Sequence, residues 1–201
     1  MSTCALCRES GVVLKKSHIY PKFTYRRMKQ DENRMFFYST SRPGPEPQYA
    51  QDGIKEELLC ESCEQHFSLW EGYFAHTVNQ RQLLDLPIPT PPARVAIVPG
   101  FDYQKTKLFL MSILWRAAVA STGAFKELNL GTAHEARLRE MLLAADPGEP
   151  DEYGAILMIT FLVDPSTGGA VVRPAASLTP NSMRVAHGIR GVDILVDGLL
   201  S

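Results

Sequence analysis

No stretch of this 201-residue sequence stays apolar long enough to cross a membrane. Its most apolar run, residues 108–115, is closed by Lys107 and Arg116 and falls far short of the ~20 residues a spanning helix needs. An apolar leader is missing too, and Cys4 would lie inside one, so a reducing, cytoplasmic setting is expected. There is no internal repeat or low-complexity tract, which excludes a solenoid or a fibrous chain. Net charge is nearly absent: 21 Lys and Arg stand against 22 Asp and Glu, a formal −1. That balance excludes a uniformly basic or acidic protein, but it conceals a segregation. Residues 1–42 hold nine basic side chains against Glu9, Asp31 and Glu32, and residues 43–75 hold seven acids against Lys55 alone. Two readings stand: a basic arm that meets phosphates, or two segments that neutralise each other within one small module.

Cysteine is just as scarce, and all four fall in two pairs, Cys4-Ala-Leu-Cys7 and Cys60-Glu-Ser-Cys63. Thiolates two residues apart can grip one tetrahedral zinc from a tight turn, and a second pair closes the site. Two disulfides, a redox pair or unrelated thiols are the alternatives, and the spacing suits a metal clip better than a disulfide framework. A closed four-cysteine zinc supplies folding energy, and chemistry would come from what it holds in place. The two clips frame residues 16–22, KSHIYPK.

A hydrophobic share of 45 % fits a globular chain. Its length allows one ordinary domain, or a small metal-stapled module with a compact second unit. Residues 12–14 read as a short strand, Pro21 opens a helix carrying Lys22, Arg26 and Lys29, and residues 34–40 are strand-like. The second clip starts a helix in which Cys63, Phe67, Trp70 and Phe74 recur at helical spacing, so these aromatics read as core. Residues 86–100 contain five prolines and mark a linker. We therefore expect an α+β chain: a zinc module at 1–85, a linker at 86–102 and a mixed helix-and-strand unit at 103–201. In that second unit Asp102 can cap a helix over 103–121 that is apolar nearly all round, hence buried in a core or at an oligomer or partner interface. Residues 132–135, Thr-Ala-His-Glu, read as a capping box for a helix with Leu138, Met141 and Leu142 inward. Residues 155–163, 170–173 and 192–196 read as strands. His76, His134 and His187 carry no constellation and read as structural.

The cysteine clips, Ser17-His18-Ile19-x-Pro21 between them, and Leu59 before Cys60 resemble the zinc-stapled branch of the HNH endonuclease family over roughly residues 1–75. The resemblance implies a treble-clef, ββα-metal module, a structural zinc on Cys4, Cys7, Cys60 and Cys63, and hydrolysis of nucleic-acid phosphodiesters, DNA favoured over RNA. It implies that His18 is the general base and that a magnesium or manganese ion serves the leaving oxygen. Ser17 stands where the family has an acidic or histidine ligand, and Glu64 where it has asparagine. Glu64 and His66 are the candidate ligands of the catalytic ion. They lie about 200° apart around a helix, and Glu71, seven residues after Glu64, is the better geometric companion. Lys15, Lys16, Lys22, Arg26 and Lys29 are the candidate phosphate contacts. Residues 107–116 (KLFLMSILWR) and Leu130-Gly-x2-His134-Glu135 resemble bacterial proteins that carry the same front end, a likeness that implies no activity. Two other classes remain beside the endonuclease: a zinc-stapled module that binds nucleic acid or protein without catalysis, and an interaction protein acting through its C-terminal half.

Overall fold

A computed structural model describes residues 2–25, 52–78, 100–126 and 128–154. It also gives the backbone of 79–80 and of strands at 35–37, 48–50, 162–163, 170–171, 178–186 and 189–196. The class is mixed α+β. In chain order come β1 (Leu14–His18), a 3-10 turn (Lys22–Tyr25), β2 (Met35–Phe37), β3 (Gln48–Ala50) and β4 (Lys55–Cys60). Then follow α1 (Glu61–Gln80), α2 (Tyr103–Val119), α3 (Thr132–Ala144), β5 (Leu162–Val163), β6 (Ala170–Val171), β7 (Leu178–Ala186) and β8 (Ile189–Val196). The strands pair antiparallel in four two-stranded ladders, β1 with β4, β2 with β3, β5 with β6 and β7 with β8.

The β1–β4 ladder sets the geometry of the N-terminal half. Leu14 faces Cys60, Lys15 faces Leu59, and after a register shift Lys16, Ser17 and His18 face Glu57, Glu56 and Lys55. Leu58 is the residue skipped by that shift, and its carbonyl accepts the Ala5 amide at 2.9 Å. The bulge thus ties the first cysteine turn to the strand that leads into the second. β1 starts at Leu14, two residues later than the sequence pattern suggests, because Val13 lies 81 % exposed and gains nothing from pairing.

α1 runs straight on from β4 and buries Cys63, Phe67, Trp70, Phe74 and Val78, a stripe at helical spacing. Asp102 caps α2 as its residue type suggests, with Oδ1 accepting the Lys105 amide at 3.0 Å. α2 buries Leu108, Phe109, Met111, Ile113, Trp115 and Ala117 against α1 and α3. Phe109 stacks on Phe74 at 4.2 Å between ring centroids, and Trp115 meets Phe67 edge-on at 6.2 Å. The chain itself therefore covers this helix, and no second copy is needed to bury its apolar face. One hydrophobic core runs from Leu6 and Ile19 through α1 and α2 to Leu138 and Leu142. Most of the proline-rich stretch at 86–102 lies outside the described residues.

The capping box does not form. Thr132 is already the first helical residue of α3, and Gly131, at φ 75°, takes the N-cap position without a side chain to contribute. Glycine suits that left-handed backbone, and its carbonyl accepts the Glu135 amide at 3.1 Å. Leu138, Met141 and Leu142 do point inward. β7 occupies residues that carry no strand expectation. Residues 155–161 and His187 lie outside the described residues.

Candidate metal centre and the histidine beside it

Four thiols converge where the first turn, the end of β4 and the start of α1 meet. The Sγ atoms of Cys4, Cys7, Cys60 and Cys63 all lie within 4.8 Å of one another, close enough to hold a metal ion. No disulfide joins them. Cys7 and Cys60 stand 3.8 Å apart, and a tetrahedral zinc with bonds of about 2.3 Å spaces its sulfurs by about 3.8 Å. The donor set and its spacing therefore fit a zinc ion.

The chain builds this cluster from backbone bonds. The Cys4 amide donates to the Glu9 carbonyl at 2.9 Å, and the Arg8 amide donates to the Cys4 carbonyl at 3.0 Å. Arg8 sits at φ 67° to close the turn. The Cys60 amide donates to the Cys4 sulfur at 3.4 Å, so one clip feeds a proton donor to the other. Burial opposes ionisation of Cys60, but hydrogen bonds from the Ser62 hydroxyl, the Cys63 amide and the neighbouring thiols outweigh it and bring its thiol down to about 6. Burial pushes Cys7 and Cys63 up. A metal would displace thiol protons from the cluster as it bound.

His18 ends β1. Its side chain is 18 % exposed, and its Nε2 lies 2.8 Å from Asp52 Oδ1. Asp52 also accepts the Gly53 amide at 3.0 Å and pairs with Lys55, the residue opposite His18 in the ladder. Burial would raise the Asp52 carboxyl, but the bonds from His18, Lys55 and Gly53 outweigh it and hold it well below the usual carboxylate range. An ionised carboxylate only accepts, so the proton in this contact belongs to Nε2. Tyr25 closes the floor of this corner. Its hydroxyl accepts the Ile54 amide at 3.3 Å, and its ring lies against Gly53.

The other face of β1 holds different partners. Ser17 is 1 % exposed and donates to the Glu64 carboxylate on α1. Glu56, opposite Ser17, accepts the Ser121 amide through both oxygens, at 3.1 and 2.9 Å. Successive strand residues alternate faces, so Ser17 with Glu56 meets the helices and His18 with Lys55 turns away from them. Glu64 and His66 go to separate places. His66 Nε2 reaches the Leu142 carbonyl at 2.9 Å, and its ring meets Trp70 edge-on at 4.7 Å. Glu71 pairs at 2.7 Å with Arg116 of α2, which in turn donates to the His18 carbonyl at 2.8 Å. Among the described residues, no second group of three or more His, Cys, Asp or Glu ligands gathers to hold an ion.

Of the basic candidates, Lys15, Lys16 and Lys22 are exposed, and Lys15 pairs with Glu61. That pair joins the basic segment to the acidic one. Arg26 and Lys29 lie outside the described residues. His76 is exposed, and His134 Nδ1 contacts the Tyr153 hydroxyl at 2.9 Å. Asp52 and Arg116 carried no signal in the sequence, because each meets His18 only through the ladder register or through α2. No helix among the described residues is long and apolar enough to cross a membrane. Comparison of the chain with family models, curated proteins and solved structures gave no match.

Proposed function

We propose that the cysteine cluster holds one structural zinc ion, and that the module it staples is a phosphodiester hydrolase of the ββα-metal, HNH-like type acting on nucleic acid. The zinc reading is supported by the sulfur spacing. The treble-clef reading is supported by a cysteine turn, the β1–β4 ladder and α1 following one another around the thiols. The observation that carries the hydrolase reading is the 2.8 Å contact between His18 and Asp52. Asp52 fixes the tautomer and offsets the charge that His18 gains, while Nδ1 takes a proton from the attacking water. This is the service a carboxylate performs for a catalytic histidine in hydrolases generally. Lys16 and Lys22 would meet backbone phosphates, and Lys15 would exchange Glu61 for one.

When bound, a magnesium or manganese ion would stabilise the charge developing on the leaving oxygen. Glu64 and His66 do not converge on a site for it, and such ions are commonly held in part by the substrate's own phosphates. A second reading, a zinc module that binds nucleic acid without cleaving it, is favoured by the engagement of Glu64 by Ser17 and of Glu71 by Arg116.

The deciding assay incubates wild type and His18→Ala with plasmid, linear and single-stranded DNA and with RNA, in magnesium, manganese or nickel. Cleavage by wild type that the variant loses, with zinc content unchanged, is the expected result. Equal cleavage by both proteins removes His18 from the reaction, and binding without cleavage by wild type selects the second reading.

A further inference from the structure

Arg116, in the last turn of α2, is an unusual residue for the buried face of an apolar helix. It is 1 % exposed, as deep as Leu108 on the same helix. A buried guanidinium loses its hydration and is tolerated only where its donors are used. Here they are used on three elements. Nε donates to the Ser112 carbonyl at 3.2 Å within α2, Nη2 pairs with Glu71 of α1 at 2.7 Å, and Nη1 donates to the His18 carbonyl at 2.8 Å. The Phe67 ring lies beneath the guanidinium at 5.4 Å, a cation–π contact that offsets part of the desolvation.

The last of the three donations reaches the end of β1, where regular pairing stops. The Ile19 amide, the other half of the His18–Ile19 peptide, donates to the Ile54 carbonyl at 3.0 Å. This one peptide plane is therefore gripped from both sides, by the loop before β4 and by α2. The plane sets the direction in which the His18 side chain leaves the backbone, and so whether Nε2 meets Asp52. Replacing both members of a buried ion pair by apolar residues is often neutral, whereas removing one leaves the other charge unpaired; a methionine at 116 therefore leaves Glu71 without its partner, and it cannot hold a carbonyl.

Resting on the hydrolase reading above, we infer that Arg116 is a positioning residue for His18, which makes α2 part of the hydrolytic centre and not a neighbour of it. Glu71 belongs to the same device, because it keeps the guanidinium aimed between α1 and β1. The carboxylate that seemed suited to an ion by its helical spacing instead serves the histidine through the arginine.

The test uses the full chain with Arg116→Met, Arg116→Lys and Glu71→Gln, each checked for zinc content and cooperative unfolding. The first readout is the His18 Nε2 proton by NMR, which exchanges slowly while it is bonded to Asp52. Arg116→Met should lose that protection, and Arg116→Lys, which can still donate to the His18 carbonyl, should recover part of it. The second readout is cleavage. The kcat of Arg116→Met should fall by about 100-fold, as displaced catalytic groups do, with KM held within about twofold because substrate contacts are intact. Wild-type protection of the proton in a folded Arg116→Met overturns the inference, whatever the activity. Should Arg116→Met not fold, the same proton in Glu71→Gln decides: weakened protection supports the inference and unchanged protection overturns it. A wild type that cleaves nothing removes the hydrolase reading alone, and the exchange measurement still decides whether Arg116 sets His18.

Discussion

Arg139 reaches from α3 to the first cysteine turn, where its Nη1 donates to the Leu6 carbonyl at 3.0 Å. Leu6 lies between Cys4 and Cys7 and is itself fully buried. The C-terminal helices therefore bond to the cysteine turn from α3 as they bond to the His18 carbonyl from α2. Partners one step removed from a metal typically contribute 10- to 100-fold to its affinity. Arg139→Ala should accordingly weaken zinc retention by about tenfold in competition with a chromophoric chelator. Cys60→Ser, which removes a ligand outright, should leave the protein without zinc and its N-terminal half unfolded. Purified wild type free of zinc, with a well-folded N-terminal half, would refute the metal reading altogether.

Ser17 and Glu64 make a second testable link, between β1 and α1. Ser17→Ala leaves the carboxylate without a donor at the edge of the core, and a bond to a charged group is worth about 1.5–3 kcal/mol. The variant should be destabilised by about that amount in urea with zinc in excess, with metal content unchanged. A loss no greater than that of an exposed serine would mean that Glu64 finds water just as easily.

The parts of this structure that could be read from the sequence are those set by neighbours along the chain. Cysteines with two residues between them announce a turn that can clip a metal, and Cys63, Phe67, Trp70 and Phe74 trace one face of α1 because helical spacing does not depend on tertiary context. Asp102 caps α2 for the same local reason. The contacts that define the histidine corner are different in kind. Asp52 lies 34 residues from His18 and Arg116 lies 98 away; their meeting depends on the β1–β4 register and on how α2 crosses the strand, which no periodicity reports. Glu71 shows the cost of spacing used alone. Seven residues after Glu64 it does share that helical face, yet a buried arginine claims it. Thr132 failed as a cap because Gly131 could adopt a backbone angle that threonine resists.

Gly53 makes a close approach that its neighbour Tyr25 requires. A Cβ built at this position would come within 2.1 Å of two Tyr25 ring carbons. Tyr25 is fully buried, and its ring has no open side into which to move. Gly53→Ala should therefore cost about 1–3 kcal/mol, the usual penalty of overpacking, and should push Asp52 off His18. Thermal unfolding gives the first effect and the His18 Nε2 proton the second. A Gly53→Ala protein as stable as wild type would show that the 52–54 loop moves freely over the tyrosine.

Asp52 ties the histidine corner to pH. Its folded carboxyl titrates well below the usual range, because the bonds from His18, Lys55 and the Gly53 amide outweigh its burial. In the unfolded chain it titrates near 3.9. A carboxyl depressed on folding contributes stability that is complete above the unfolded value and is lost as pH falls toward the folded one. Asp52→Asn should thus be less stable than wild type at neutral pH, and the gap between the two should narrow below about pH 4. Acid also strips zinc from thiolates, but it does so in both proteins, so the difference between their unfolding free energies isolates the carboxylate. If the gap stayed constant through that range, Asp52 would be stabilising by its shape or by neutral hydrogen bonds. Its negative charge would then not be what holds His18 in place.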